Sequence, residues 1–182
     1  MKMMAGVLAM VASVALMPIG SAQMTGGSGA KKPMLSPPAK ASIQLDGKRV
    51  SIIYHSPSMR GRKIFGGLVP YDQVWRTGAN EATTLKTETN LRVGTATVPA
   101  GTYTLFTLPS QNTWKLIVNK QTGQWGLTYD PSKDLVRIDM NKATLPAPQE
   151  KMSISFENTH GASTQLHVRW DTTDVWVPVV AQ

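Results

Sequence analysis

From Val50 onward the chain alternates apolar and polar residues in short runs. Val50, Ile52 and Tyr54 interleave with Ser51, Ile53 and His55, and Leu91 and Val93 flank Arg92. Pro99-Ala100-Gly101 turns the chain into a run where Tyr103, Leu105 and Thr107 oppose Thr104, Phe106 and Leu108. Trp114, Leu116 and Val118 alternate with Lys115, Ile117 and Asn119; Val136, Ile138 and Met140 alternate with Arg137 and Asp139. Met152, Ile154 and Phe156 form one further face, Leu166, Val168 and Trp170 another, and Val175 to Val180 make the last run. Turn signals separate these runs: Asp46-Gly47, the segment around Gly123, and Asp130-Pro131-Ser132-Lys133. A period of two over many short segments predicts strands with one face buried. The fold expected is all-β, a single antiparallel β-sandwich of jelly-roll or immunoglobulin-like kind, with a closed barrel as the alternative. The one departure from alternation is a long loop in which Tyr71 to Arg76 predicts a short helical turn.

The first 40 residues do not fit this pattern. Lys2, an apolar and small-residue run from Ala5 to Met17, helix breakers at Pro18 and Gly20, and small residues at Gly20-Ser21-Ala22 predict a signal peptide over residues 1–22. The apolar run falls short of the about 20 residues a membrane span needs, and no second candidate span follows it. Cleavage would leave Gln23 at the N-terminus of a periplasmic or secreted protein. With no cysteine the chain has no lipid-attachment site and no disulfides. Residues 23–40 are rich in Gly, Ser, Pro and Lys, a composition that predicts a disordered tail. Residues 41–182 then form the one domain, long enough for a sizeable core.

The net charge of +8 falls to +7 without Lys2, and three more lysines lie in the tail. This moderate excess suits anionic partners such as cell-envelope polymers or acidic glycans. The basic residues are spread along the chain and no nucleic-acid module is present. Thiolate chemistry is excluded by the absence of cysteine, and no nucleophile elbow, P-loop or dinucleotide fingerprint occurs, so no cofactor is expected. Three histidines, His55, His160 and His167, give no metal-ligand spacing on a common element, and no metal is expected. His167 alternates with Gln165 and Arg169 and is expected on an exposed sheet face, while His160 is expected in a hairpin turn.

The densest chemistry lies in His55–Thr84, HSPSMRGRKIFGGLVPYDQVWRTGANEATT. Arg60 and Arg62 flank Gly61, a hinge on which two guanidiniums can clamp a carboxylate, phosphate or sulfate. Arg76, Asn80 and Glu81 follow, with Tyr71 and Trp75 beside them, a set that suits a polar or sugar-like ligand. Arg76 and Glu81 also form a candidate ion pair that would pin the loop. Of the five tryptophans, Trp114 and Trp170 fall in register with the core, and Trp75 and Trp125 are the candidate stacking platforms.

The blocks RGRKIFGGLVPYDQVWRTGANEAT, VPAGTYTLFTLP and WKLIVNKQTGQWGLTYDPSKDLVRI resemble a bacterial exported family known as domain of unknown function 2911. The resemblance runs from about Val50 to the C-terminus. It implies export and carries no catalytic assignment. Two functions are therefore expected from the residues themselves. The first is binding of a small polar or anionic ligand, or a cell-envelope glycan, through Arg60, Arg62, Tyr71, Trp75, Arg76, Asn80 and Glu81. The second is hydrolysis, with Glu81 as general acid or base, His55 as its proton partner, and Arg62 or Arg76 stabilising charge. Binding is the favoured reading.

Overall fold

The computed structural model describes residues 35–182. The predicted leader, and the predicted tail as far as Met34, lie outside the described residues. Nine antiparallel strands follow: β1 (Pro38–Leu45), β2 (Lys48–His55), β3 (Thr84–Thr87), β4 (Leu91–Val93), β5 (Ala96–Val98), β6 (Gly101–Pro109), β7 (Trp114–Asn119), β8 (Asp134–His160) and β9 (Ser163–Ala181). They hydrogen-bond in the order β1-β2-β3-β6-β7-β8-β9-β4-β5. The ladder has two ends and does not close, so the barrel alternative is set aside. The first strand starts at Pro38, three residues before the expected domain start.

The long β8 makes two layers from one ladder. Its first residues, Asp134 to Met140, pair with β7, and Asn141 onward pairs with β9. The core between the layers takes the predicted faces: Val50, Ile52 and Tyr54 of β2, Leu105 of β6, Trp114 and Leu116 of β7, Met152 and Ile154 of β8, Val168 and Trp170 of β9. Across it, the Ile154 amide donates to the Tyr54 hydroxyl at 3.1 Å. The β1–β2 hairpin turns on Asp46 and Gly47, both with positive φ (48° and 74°), as a tight two-residue turn requires.

The segment between β2 and β3 is stitched down along its length. Met152 and Met59 amides exchange with the Pro57 and Glu150 carbonyls at 2.9 and 2.8 Å, and Trp75 and Thr107 exchange both backbone bonds at 2.8 and 2.9 Å. Trp75 thereby acts as a strand residue beside β6. This corrects the expected helical turn at Tyr71–Arg76. Asp72 has φ of 60° and Trp75 must be extended to bridge β6, so the stretch is built of turns. The one helical element among the described residues is a 3-10 turn at Pro131–Lys133, capped by the Asp130 side chain.

Candidate functional site

Apolar pegs hold the 55–84 segment. Ile64, Phe65, Val69 and Trp75 are buried. Phe65 meets Trp75, Trp114 and Trp170 edge-on, and the Trp75 and Trp170 rings stack 5.8 Å apart at 18°. Trp75 therefore joins the core, and Trp125, 53% exposed, is the open indole. Tyr71 lies against Gly66, where an added Cβ would come within 2.7 Å of its ring.

Arg60 and Gly61 make the expected turn, with φ of 51° and 68°. The two guanidiniums then diverge onto separate carbonyls. Arg60 Nη2 donates to Leu35 O at 2.7 Å, whereas Arg62 donates from Nε to Met59 O at 2.9 Å and from Nη2 to Ser58 O at 2.8 Å. Turn carbonyls left without a ladder partner need such donors. Arg76 and Glu81 do not pair. Glu81 Oε2 instead lies 3.2 Å from His55 Nδ1, with the glutamate side chain 61% exposed.

Arg76 is the side chain that this arrangement leaves over. Its Nε is buried without a hydrogen-bond partner, and among the described residues it forms no ion pair. Burial holds its pKa below the ordinary arginine value, yet a guanidinium stays charged throughout the physiological range. Two clefts flank it. One, of about 310 Å³, is walled by Arg62, Arg76, Ser36, Gly78 and the Trp75–Trp170 pair, with no carboxylate in its lining. The other, of about 230 Å³, sets Arg76, Gln73 and Tyr129 among Leu68, Val74, Phe106 and Leu127. Leu68, Val69, Trp75 and Arg76 line both.

The backbone fixes Arg76 in this position. Thr77 follows it with φ of 52°, an uncommon conformation for a β-branched residue that costs roughly 1–3 kcal/mol. It is held there by hydrogen bonds: its Oγ1 lies 3.2 Å from Thr107 Oγ1, and its carbonyl accepts from the Thr83 hydroxyl at 2.9 Å. Behind Arg76, Gly126 donates its amide to Asn80 O at 3.1 Å, and a Cβ there would collide with the arginine stem and that same carbonyl. Asn80, at φ of 57°, directs its Nδ2 to Ser36 O at 3.3 Å. In the second cleft, the Tyr129 phenol is pushed up to about 12 by burial and by its hydrogen bond to Asp134, so it stays neutral.

A second polar cluster was not expected from the sequence. His167 is buried, 5% exposed, which corrects its expected place on an exposed face. Its Nδ1 lies 2.9 Å from Asp174 Oδ1, and its ring stacks on Trp176 at 5.4 Å. Arg169 joins Asp174 Oδ2 through Nε at 2.9 Å and Glu157 Oε2 through Nη2 at 2.8 Å. Seven strand residues span roughly 23 Å when extended, so contact between His167 and Asp174 requires β9 to bend sharply. Asp171, with φ of 54°, sits at the bend. The usable sequence signal was Gln165, His167 and Arg169 on one face, followed by the Asp171-Thr172-Thr173-Asp174 interruption. His160 is exposed at the β8–β9 hairpin, as expected. Among the described residues no group of three or more His, Asp or Glu is placed to hold a metal ion, and no helix is long and apolar enough to cross a membrane.

No curated protein and no solved structure matches the chain. Residues 36–179, well over half of its length, match the model of the family described as protein of unknown function (DUF2911), and the protein belongs to that family.

Proposed function

We propose that this is an exported β-sandwich that binds a small anionic ligand in the cleft between Arg62 and Arg76. The observation that carries the reading is a cleft lined by two guanidiniums and no carboxylate, one of them with a buried, unpartnered Nε. A cation drawn out of water without a counter-charge is costly. A carboxylate, phosphate or sulfate between the two arginines would offset that cost through charge-assisted, bidentate bonds. Arg62 is already oriented by its two carbonyl partners and keeps further N–H donors for a ligand. Acidic sugars and envelope polymers bearing such groups fall within this class.

The test is a thermal-unfolding screen with sulfate, phosphate, glucuronate and succinate, against wild type and an Arg62→Gln/Arg76→Gln variant. At a hundredfold excess over Kd a bound anion stabilises by about 2.7 kcal/mol, raising Tm by roughly 5–10 °C. The shift is expected in wild type and absent from the double variant. Equal shifts in both proteins, or none with any anion, would end the proposal.

The hydrolase reading draws its support from the 3.2 Å approach of His55 to Glu81. Neither residue lines either cleft, and a general base needs a reacting group within hydrogen-bond reach. Binding is therefore preferred. Export rests on Lys2, the Ala5–Met17 run and Gly20-Ser21-Ala22. Protein expressed from the full sequence in a bacterium should leave the cytoplasm with Gln23 at its N-terminus. An intact mass that retains residues 1–22 would refute cleavage.

A further inference from the structure

We infer that the ligand is an amphiphilic anion, a carboxylate carrying an apolar body, which straddles Leu68 with its charge on Arg62 and Arg76 and its body in the neighbouring cleft. The inference rests on the anion reading above and adds the other half of the ligand. The two clefts are neighbours through shared walls, Leu68, Val69, Trp75 and Arg76, and differ in where the second charge lies. One side adds Arg62 and Ser36 to Pro57, Ala79 and Trp170; the other adds Val74, Phe106 and Leu127 to the uncharged Gln73 and Tyr129.

Exposure points the same way. Leu68 is 46% exposed and Leu127 is 72% exposed, and both line the apolar cleft beside the unpartnered guanidinium. Single exposed leucines are ordinary on a surface. Two of them bordering the same cleft as a half-buried arginine with an unpartnered Nε form a site with an apolar end and a cationic end. An inorganic anion would satisfy only the cationic end, and a neutral lipid only the other. Tyr129 and Gln73 on the apolar side carry no charge that would repel a hydrocarbon body or a carboxylate.

The geometry also makes the two ends separable by mutation. Leu127 lies in the loop after β7, is mostly solvent-exposed and contributes nothing to the core, so Leu127→Asp should fold normally. It places a negative charge on the path of the apolar body while leaving Arg62 and Arg76 intact. Ile53→Asp, at an exposed apolar position outside both clefts, controls for general loss of surface hydrophobicity.

The experiment is calorimetric titration of the folded protein with acetate, hexanoate, octanoate, decanoate, decanol and inorganic phosphate. Affinity for the carboxylates should rise with chain length by about three- to fourfold per buried methylene, and decanol should bind far more weakly than decanoate. Leu127→Asp should weaken decanoate at least about tenfold more than it weakens phosphate, since both anions feel the added charge but only decanoate loses its apolar contact, while Ile53→Asp should match wild type; a tenfold loss corresponds to about 1.4 kcal/mol. If phosphate and acetate bind as tightly as decanoate, the anion site stands and the amphiphile inference falls. Decanoate binding that survives Arg62→Gln/Arg76→Gln, or that drops equally in Ile53→Asp, would mark nonspecific adsorption and also overturn it. If no anion of any kind binds, the proposed function fails with it.

Discussion

Trp170→Ala is expected to cost about 3–5 kcal/mol of folding stability, the range for deleting a large buried aromatic side chain. Trp170 is 1% exposed and sits where β9 meets the loop from β2. Its ring stacks on Trp75 and receives the edge of Phe65, and its indole N–H donates to Glu150 O at 3.2 Å. Alanine would leave a cavity under both loop pegs and remove one of two donors to the Glu150 carbonyl, which would keep only the Met59 amide. Trp125→Ala is the control, because that indole is half-exposed and its loss should stay near the ±0.5 kcal/mol of an ordinary surface change. Urea unfolding of both variants checks the contrast. A cost below about 1 kcal/mol for Trp170→Ala would mean that the loop is not anchored on this ring.

The strands were legible where one face is apolar and turns bound the run, as in β2, β6, β7 and the end of β8. β3 was not, since Thr84–Thr87 has Leu85 as its only large apolar residue and gains its place by pairing with β2 and β6. The middle of β8, Asn141 to Glu150, contains Pro146 and Pro148 and looks like a loop in sequence. It stays in the strand because it is largely exposed and its register with β9 shifts between Thr144 and Gln149, so the prolines need not donate to the ladder. The site shows the same limit. Arg76 and Glu81, five residues apart, suggest a local pair, but left-handed backbone at Thr77 and Asn80 turns the chain between them. Glu81 then meets His55 from the end of β2, and a contact over that separation has no local signal. Alternation correctly put His167 on the face away from the core. What it does not encode is the bend at Asp171, which folds that face onto itself and buries the ring.

Asp174→Ala is expected to cost about 3–5 kcal/mol, the range for removing one partner of a buried ionic network. The Asp174 side chain is 9% exposed and bridges His167 at 6% and Arg169 at 26%, so alanine would leave two nitrogens in the bend without acceptors. Asp174→Asn should lose less, because its amide oxygen still accepts one of those bonds. Glu157→Gln should cost less again, since Glu157 is 31% exposed and solvent screens what remains. Acid titration separates Glu157 from the rest of the cluster. Burial pushes its carboxyl pKa up, but hydrogen bonds from Arg169 and Ser155 outweigh it and hold the group below its ordinary value. A depressed folded-state pKa stabilises the protein above the unfolded value, about 4.3 for glutamate, and that contribution is lost as pH falls through the folded one. Glu157→Gln should therefore melt below wild type at pH 7 and converge with it as the pH drops below about 4. Melting temperatures that coincide from pH 7 to pH 3 would show that the Arg169–Glu157 contact carries no net stability, and an Asp174→Ala cost under about 1 kcal/mol would show the same for the bend.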